Sequence, residues 1–205
     1  EICKSLKFFP DVIHCHDWQT GLVPVYFRQL YKADPAFANT AFVYTVHNLG
    51  YQGLFWHYDM HLTGLGWELF TPDGLEYYGK INIMKGGLIW SQIVNTISPT
   101  YAEEIQTREY GHGLEGVLQY RKQDLYGVVN GIDHTVWNPE SDSLIAAPYS
   151  TKDLRGKTVC KQALLNTFDL PEKSSHPVIA VTSRFDNQKG FDLIAEIFEN
   201  LLEHD

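Results

Sequence analysis

The chain has 205 residues, 44% of them hydrophobic and 20% charged, with a formal net charge of −9, a composition that can build a sizeable core. That charge opposes binding to nucleic acid or an anionic membrane, so an anionic ligand needs a local cluster of cations. No apolar run approaches the ~20 residues of a membrane helix, residues 1 to 30 lack a signal-peptide pattern, and three cysteines without a CxxC pair argue against a disulfide framework or a thiolate zinc site; the expectation is a soluble, intracellular protein.

Glu1 to Phe8 reads as helix without a recognisable start, and Asp192 to Asp205 as helix without a stop, so the chain reads as a stretch of something longer. Between them lie five short apolar runs rich in β-branched or aromatic residues: Val12 to Cys15, Ala41 to Val46, Ile93 to Ile97, Leu125 to Val129 and Val178 to Thr182. Continuous apolar runs with longer connections predict parallel strands covered on both faces, an α/β doubly wound, Rossmann-like sheet. Ligands on such a sheet sit at the carboxyl ends of the strands.

Those ends are polar. In order they are His16-Asp17-Trp18-Gln19, His47-Asn48, Ser98-Pro99-Thr100, Asn130-Gly131-Ile132-Asp133, and Ser183-Arg184 through Lys189-Gly190. Part of this is helix-start chemistry. Asp17 and Ser98 or Thr100 suit as N-caps for helices at Gln19 to Tyr31 and Tyr101 to Gln106, and Thr100 with Glu103 matches a capping box. Proline, serine and acids between residues 138 and 176, around a helix-like Lys157 to Thr167, predict a crossing between two domains. Residues 1–137 would then end the first domain and 177–205 open the second.

Arg184 and Lys189 follow a strand and lead into a helix at Gly190, a place to neutralise the leaving charge of a diphosphate; solvated surface charges are the bland reading. His47 ends a buried strand and is either a packed histidine or a group aimed at a sugar hydroxyl. The following Leu49-Gly50-Tyr51-Gln52-Gly53 favours the second, because its glycines permit close ligand approach. Asp17-Trp18 offers a carboxylate and an aromatic face, and Tyr51 a further platform. Gly111 to Gly116 satisfies GxGxxG but follows a helix, which rejects the dinucleotide reading and leaves a mobile loop. His57 and His61 lack the glutamate of HExxH, and His14 with His16 on one strand face is thin support for a ligand pair. No metal and no cofactor is expected.

Asp11-Val12-Ile13-His14-Cys15-His16-Asp17-Trp18, Thr45-Val46-His47-Asn48-Leu49-Gly50-Tyr51-Gln52-Gly53, Ser98-Pro99-Thr100-Tyr101-Ala102, Gly113-Leu114-Glu115-Gly116, Asn130-Gly131-Ile132-Asp133 with Trp137-Asn138-Pro139, and Ser183-Arg184 with Gln188-Lys189-Gly190 together resemble bacterial glycogen synthase and plant starch synthase over nearly the whole chain. The resemblance implies part of a GT-B transferase: two Rossmann-like domains facing a cleft, cytoplasmic or plastidic, passing glucose from ADP-glucose or UDP-glucose to the nonreducing end of an α-1,4-glucan with retention. It further implies that Arg184 and Lys189 bind the donor diphosphate, that His47 contacts the transferred glucose, and that Asn48, Asp17 and Asn130 line the sugar and acceptor side. The family's Lys-x-Gly-Gly loop would precede residue 1, and Lys85-Gly86-Gly87 is not its counterpart. The later glutamate and glycine-rich loop would follow residue 205, so the chain alone is expected to be inactive. A related sucrose-type or trehalose-phosphate-type synthase would share the Arg-Lys loop, and a non-catalytic glucan- or nucleotide-binding module is the alternative of another class.

Overall fold

The structure, a computed structural model, describes residues 2–171 and 177–203. Residues 172–176 of the expected crossing, and Glu1, His204 and Asp205 of the expected terminal helices, lie outside the described residues. The chain divides into two compact units, Glu1–Gly131 and Ile132–Asp205.

The first unit runs α1 (Ile2–Ser5), β1 (Val12–His16), α2 (Leu22–Leu30), β2 (Ala41–Val46), β3 (Leu54–Trp56), β4 (Glu76–Tyr77), β5 (Lys80–Asn82), α3 (Ile83–Trp90), β6 (Ile93–Thr96), α4 (Pro99–Glu104), α5 (Glu115–Tyr120) and β7 (Leu125–Gly127), with short 3-10 turns between. Strands β1-β2-β6-β7 form a wholly parallel sheet in that order, as the apolar runs predict. The register sets His16 opposite Thr45, and every carboxyl end falls on one edge. The antiparallel β3-β5-β4 sheet was not foreseen, because its strands of two or three residues are too short for a period to show.

Two adjoining apolar clusters make the core. One gathers Phe42, Tyr44, Val46, Leu49, Met84, Leu88, Val94, Ile105, Leu114 and Leu118, the other Val25, Met60, Leu65, Leu75, Ile81 and Ile83. Helix α3 belongs to both because its apolar residues run all round it. A Cβ at Gly87 would lie 2.2 Å from the Tyr44 ring, so glycine there is what lets the helix settle on the sheet. Lys85 is also buried in α3, and its ammonium donates to the carbonyls of Pro72 (2.5 Å) and Glu76 (2.6 Å); burial lowers its pKa. Arg121, just past α5, clasps the end of α3, its guanidinium donating to the carbonyls of Leu88, Ile89, Ser91 and Gln92.

Ser98 is the N-cap of α4, accepting from the Tyr101 amide at 3.1 Å, which corrects the Thr100–Glu103 capping box. Thr100 sits inside the first turn, where it cannot cap. The Gly111–Gly113 loop is pinned, not loose: the His112 carbonyl accepts from Tyr77 Oη at 2.5 Å and Gln52 Nε2 at 3.1 Å.

The second unit holds α6 (Arg155–Thr167), a 3-10 turn at Asn187–Lys189 and α7 (Phe191–Glu203). The expected strand at Val178 to Thr182 has no ladder partner among the described residues and is not assigned as a strand, since a strand needs such a partner to satisfy its amides. No described helix of the protein is long and apolar enough to cross a membrane.

Candidate functional site

Asp17 follows β1 in a backbone conformation, φ 51° and ψ −175°, that a non-glycine residue occupies only when its surroundings force it. Here they do. Its amide donates to the Thr45 carbonyl at 2.9 Å, and its carbonyl accepts from the Tyr44 phenol at 2.7 Å. Burial pushes the Tyr44 pKa far up, so the phenol stays a donor at any ordinary pH. The carboxylate does not cap the following helix, as the sequence had suggested. It turns across the sheet edge, where Oδ1 accepts the backbone N–H of His47 at 2.8 Å. Strained backbone, phenol and carboxylate thus tie the end of β1 to the end of β2.

On that tie stands a row of imidazoles. His14 and His16, two apart on β1, share a face with ring centroids 4.2 Å apart. His16 stacks on His47 at 5.4 Å, with His16 Nδ1 and His47 Nε2 in a 3.1 Å hydrogen bond. His14 Nε2 meets Thr45 Oγ1 at 2.6 Å, and that hydroxyl donates to Asn95 Oδ1. Partial desolvation first, then His16 and His47, lower the His14 pKa. The His16 contact was missed because the sequence gives the alternation of His14 and His16 but not the register that sets β2 beside them.

The loop after His47 is built for approach from outside. Asn48 Oδ1 accepts the Gly50 amide at 2.9 Å, closing a tight turn that leaves Gly50 exposed and Tyr51 half-exposed. Leu49, fully buried, anchors the turn in the core, and its amide donates to Tyr101 Oη at 3.2 Å. Trp18 lies beneath the loop, half-buried against both apolar clusters. Gly53, at φ 64°, passes so close that a Cβ there would sit 2.5 Å from the indole, so one face of Trp18 is covered by backbone. Asn130 is exposed, three residues beyond β7, the strand two places from β2 in the sheet.

The structure therefore brings Asp17, Trp18, His47, Asn48 and Tyr51 into one neighbourhood of the first unit. Arg184 and Lys189 lie in the second unit, both exposed and without an ion pair among the described residues. Lys189 ends the 3-10 turn, its amide donating to the Asp186 carbonyl at 2.9 Å, and Gly190 at φ 71° leads into α7. Among the described residues no group of histidine, cysteine and carboxylate side chains is arranged to hold a metal ion.

A parallel Rossmann-like sheet with its polar groups on the carboxyl edge, as here, is an architecture that GT-B glycosyltransferase half-domains share with other ligand-binding α/β domains. The family model for the starch synthase catalytic domain matches residues 1–120, and the chain belongs to that family. It is 48% identical over 205 residues to the glycogen synthase of Thermosipho africanus and 46% identical over 204 residues to that of Thermodesulfovibrio yellowstonii, spanning all of this chain but 42% and 41% of theirs. Among solved structures it is similar to the catalytic domain of starch synthase IV from Arabidopsis thaliana bound to ADP and acarbose. That match has a TM-score of 0.90 and 35% identity, and covers 98% of this chain and 42% of the plant chain.

Proposed function

We propose that the protein carrying this chain is a retaining glucosyltransferase that passes glucose from ADP-glucose or UDP-glucose to the nonreducing end of an α-1,4-glucan, in the cytoplasm. The observation that carries this reading is the tie between Asp17 and His47, a strained and hydrogen-bonded junction that presents an imidazole on the carboxyl edge of the sheet. Family membership supplies the reaction class, and the ADP and acarbose in the plant relative's structure are the donor and acceptor chemistries to expect.

The roles are those that the family resemblance implies. Arg184 grips the donor diphosphate bidentately, and Lys189 adds a point charge where the leaving nucleotide gains negative charge. His47 meets a hydroxyl of the transferred glucose. Asn48, Asp17 and Asn130 line the sugar and acceptor side, and Trp18 and Tyr51 offer aromatic platforms. Departure and attack take place on one face in an ion-pair-like step, with no protein nucleophile and no cofactor. Residues 1–137 form part of the acceptor-side domain, 138–176 a crossing, and 177–205 the opening of the nucleotide-sugar domain; alone, the chain transfers no glucose at the rate of a full enzyme.

The test is an assay of the full-length enzyme with each donor and a glycogen primer. Turnover with one donor, α-linked product, and a fall in kcat of about 100-fold or more on Arg184→Ala with Lys189→Ala support the reading. Unchanged glycogen affinity with no turnover in the unsubstituted enzyme would replace it with a glucan-binding module.

A further inference from the structure

We infer that His16 is a positioning residue for His47, its ring fixing which nitrogen of the His47 imidazole carries the proton and which is offered to the sugar. The inference rests on the glucosyltransferase reading for its kinetic half and on geometry alone for its structural half.

In the 3.1 Å contact between His16 Nδ1 and His47 Nε2, one nitrogen must donate and the other accept, since two lone pairs or two N–H groups would repel. The neighbouring groups narrow the choice. Thr45 Oγ1 spends its only proton on Asn95 Oδ1 at 2.6 Å, so it must accept from His14, and His14 is the Nε2–H form. That leaves nothing from His14 for the His16–His47 bond, so the pair settles its own direction. If His47 donates, both rings take the Nε2–H form that a neutral imidazole intrinsically prefers. If His16 donates, both take the less favoured Nδ1–H form. The first arrangement makes His16 the acceptor and leaves His47 Nδ1 a lone pair without a partner among the described residues. His47 then receives a hydrogen bond from a sugar hydroxyl and does not give one, while Asp17 holds its backbone N–H (2.8 Å) and His16 its ring tip (3.1 Å). Of the two imidazoles, only His47 needs to touch substrate.

The structural half is tested by NMR on the full-length enzyme with 15N-labelled histidine, above the range in which imidazoles titrate. A through-hydrogen-bond coupling between a protonated His47 Nε2 and an unprotonated His16 Nδ1 is expected, lost in His16→Phe, which keeps the ring stacked on His14 but removes the acceptor. The kinetic half uses the full-length enzyme. His16→Phe should lower kcat about tenfold with KM for donor and glucan changed less than twofold, and His16→Asn, whose Oδ1 stands near the lost Nδ1, should restore most of it. Absence of the coupling, the opposite protonation, or a His16→Phe enzyme with unaltered kcat overturns the inference. A full-length enzyme with no glucosyl transfer would instead defeat the functional reading, while the coupling would still decide whether His16 sets the His47 proton.

Discussion

Within a chain that spans 42% of a relative's length, the two units differ in how far their side chains are buried. In the first, side chains as large as Tyr44, Phe42, Met84 and Leu118 are almost wholly excluded from water; in the second, Leu165 is the buried hydrophobic residue among those described. Both contain amphipathic helices. Helix α7 has a well-formed apolar stripe, yet Leu193, Ile197, Phe198 and Leu202 on it are exposed. Periodicity makes a helix amphipathic, but a sheet or another helix must cover the stripe before it stabilises anything. The first unit supplies that cover through α3 and the parallel sheet. In the second, Val178, Ile179 and Val181 remain open to solvent. The buried side chains are thus concentrated in the first unit, while the cations Arg184 and Lys189 belong to the second.

The sharpest way to break this contrast is to damage the packed unit. Tyr44→Ala removes a fully buried ring that packs on Gly87 and holds the Asp17 carbonyl, and should cost about 3–5 kcal/mol. Urea unfolding followed by near-ultraviolet circular dichroism would register it, and a loss below ~1 kcal/mol would mean that the core is looser than described. In the second unit, Leu165→Ala should cost about 2 kcal/mol, and Leu202→Ala, on the open stripe, less than ~0.5 kcal/mol. Equal losses at the two positions, measured by hydrogen exchange of α6 and α7, would show that α7 is covered in solution.

The smallest expected effect is a dependence on pH. The His14 pKa is depressed in the folded state, so its contribution is present above the unfolded value near ~6.5 and is lost as pH falls through the lower folded value. Unfolding midpoints should drop between neutral and mildly acidic pH, and His14→Gln should flatten that slope. A slope unchanged by the substitution would remove His14 as its source.

Much of this was legible in the sequence. Four of the five apolar runs form the parallel sheet, because burial on both faces leaves a continuous apolar signature that needs no partner to be read. Ala41–Val46 matches to the residue. The run at Val178 to Thr182 carries the same signature without a ladder, since pairing is a property of neighbours. The polar strand ends also marked His47 and Asp17, but not that Asp17 would serve His47 instead of a helix N-terminus. That depended on the β1–β2 register and on a backbone twist enforced by Tyr44. Nothing in the sequence foretold the Arg121 clasp: a lone arginine after a helix reads as surface charge, and only the end of α3, with four carbonyls turned one way, makes it structural.

The central claim is that the imidazole on the sheet edge meets the sugar while Arg184 and Lys189 meet the diphosphate. A crystal structure of the full-length enzyme with ADP and an oligosaccharide acceptor mimic tests it most directly. The account predicts the Arg184 guanidinium and Lys189 ammonium within hydrogen-bonding distance of the diphosphate oxygens and the His47 ring against a sugar hydroxyl. A diphosphate held by other cations, with both side chains in solvent and His47 touching no sugar, would contradict it.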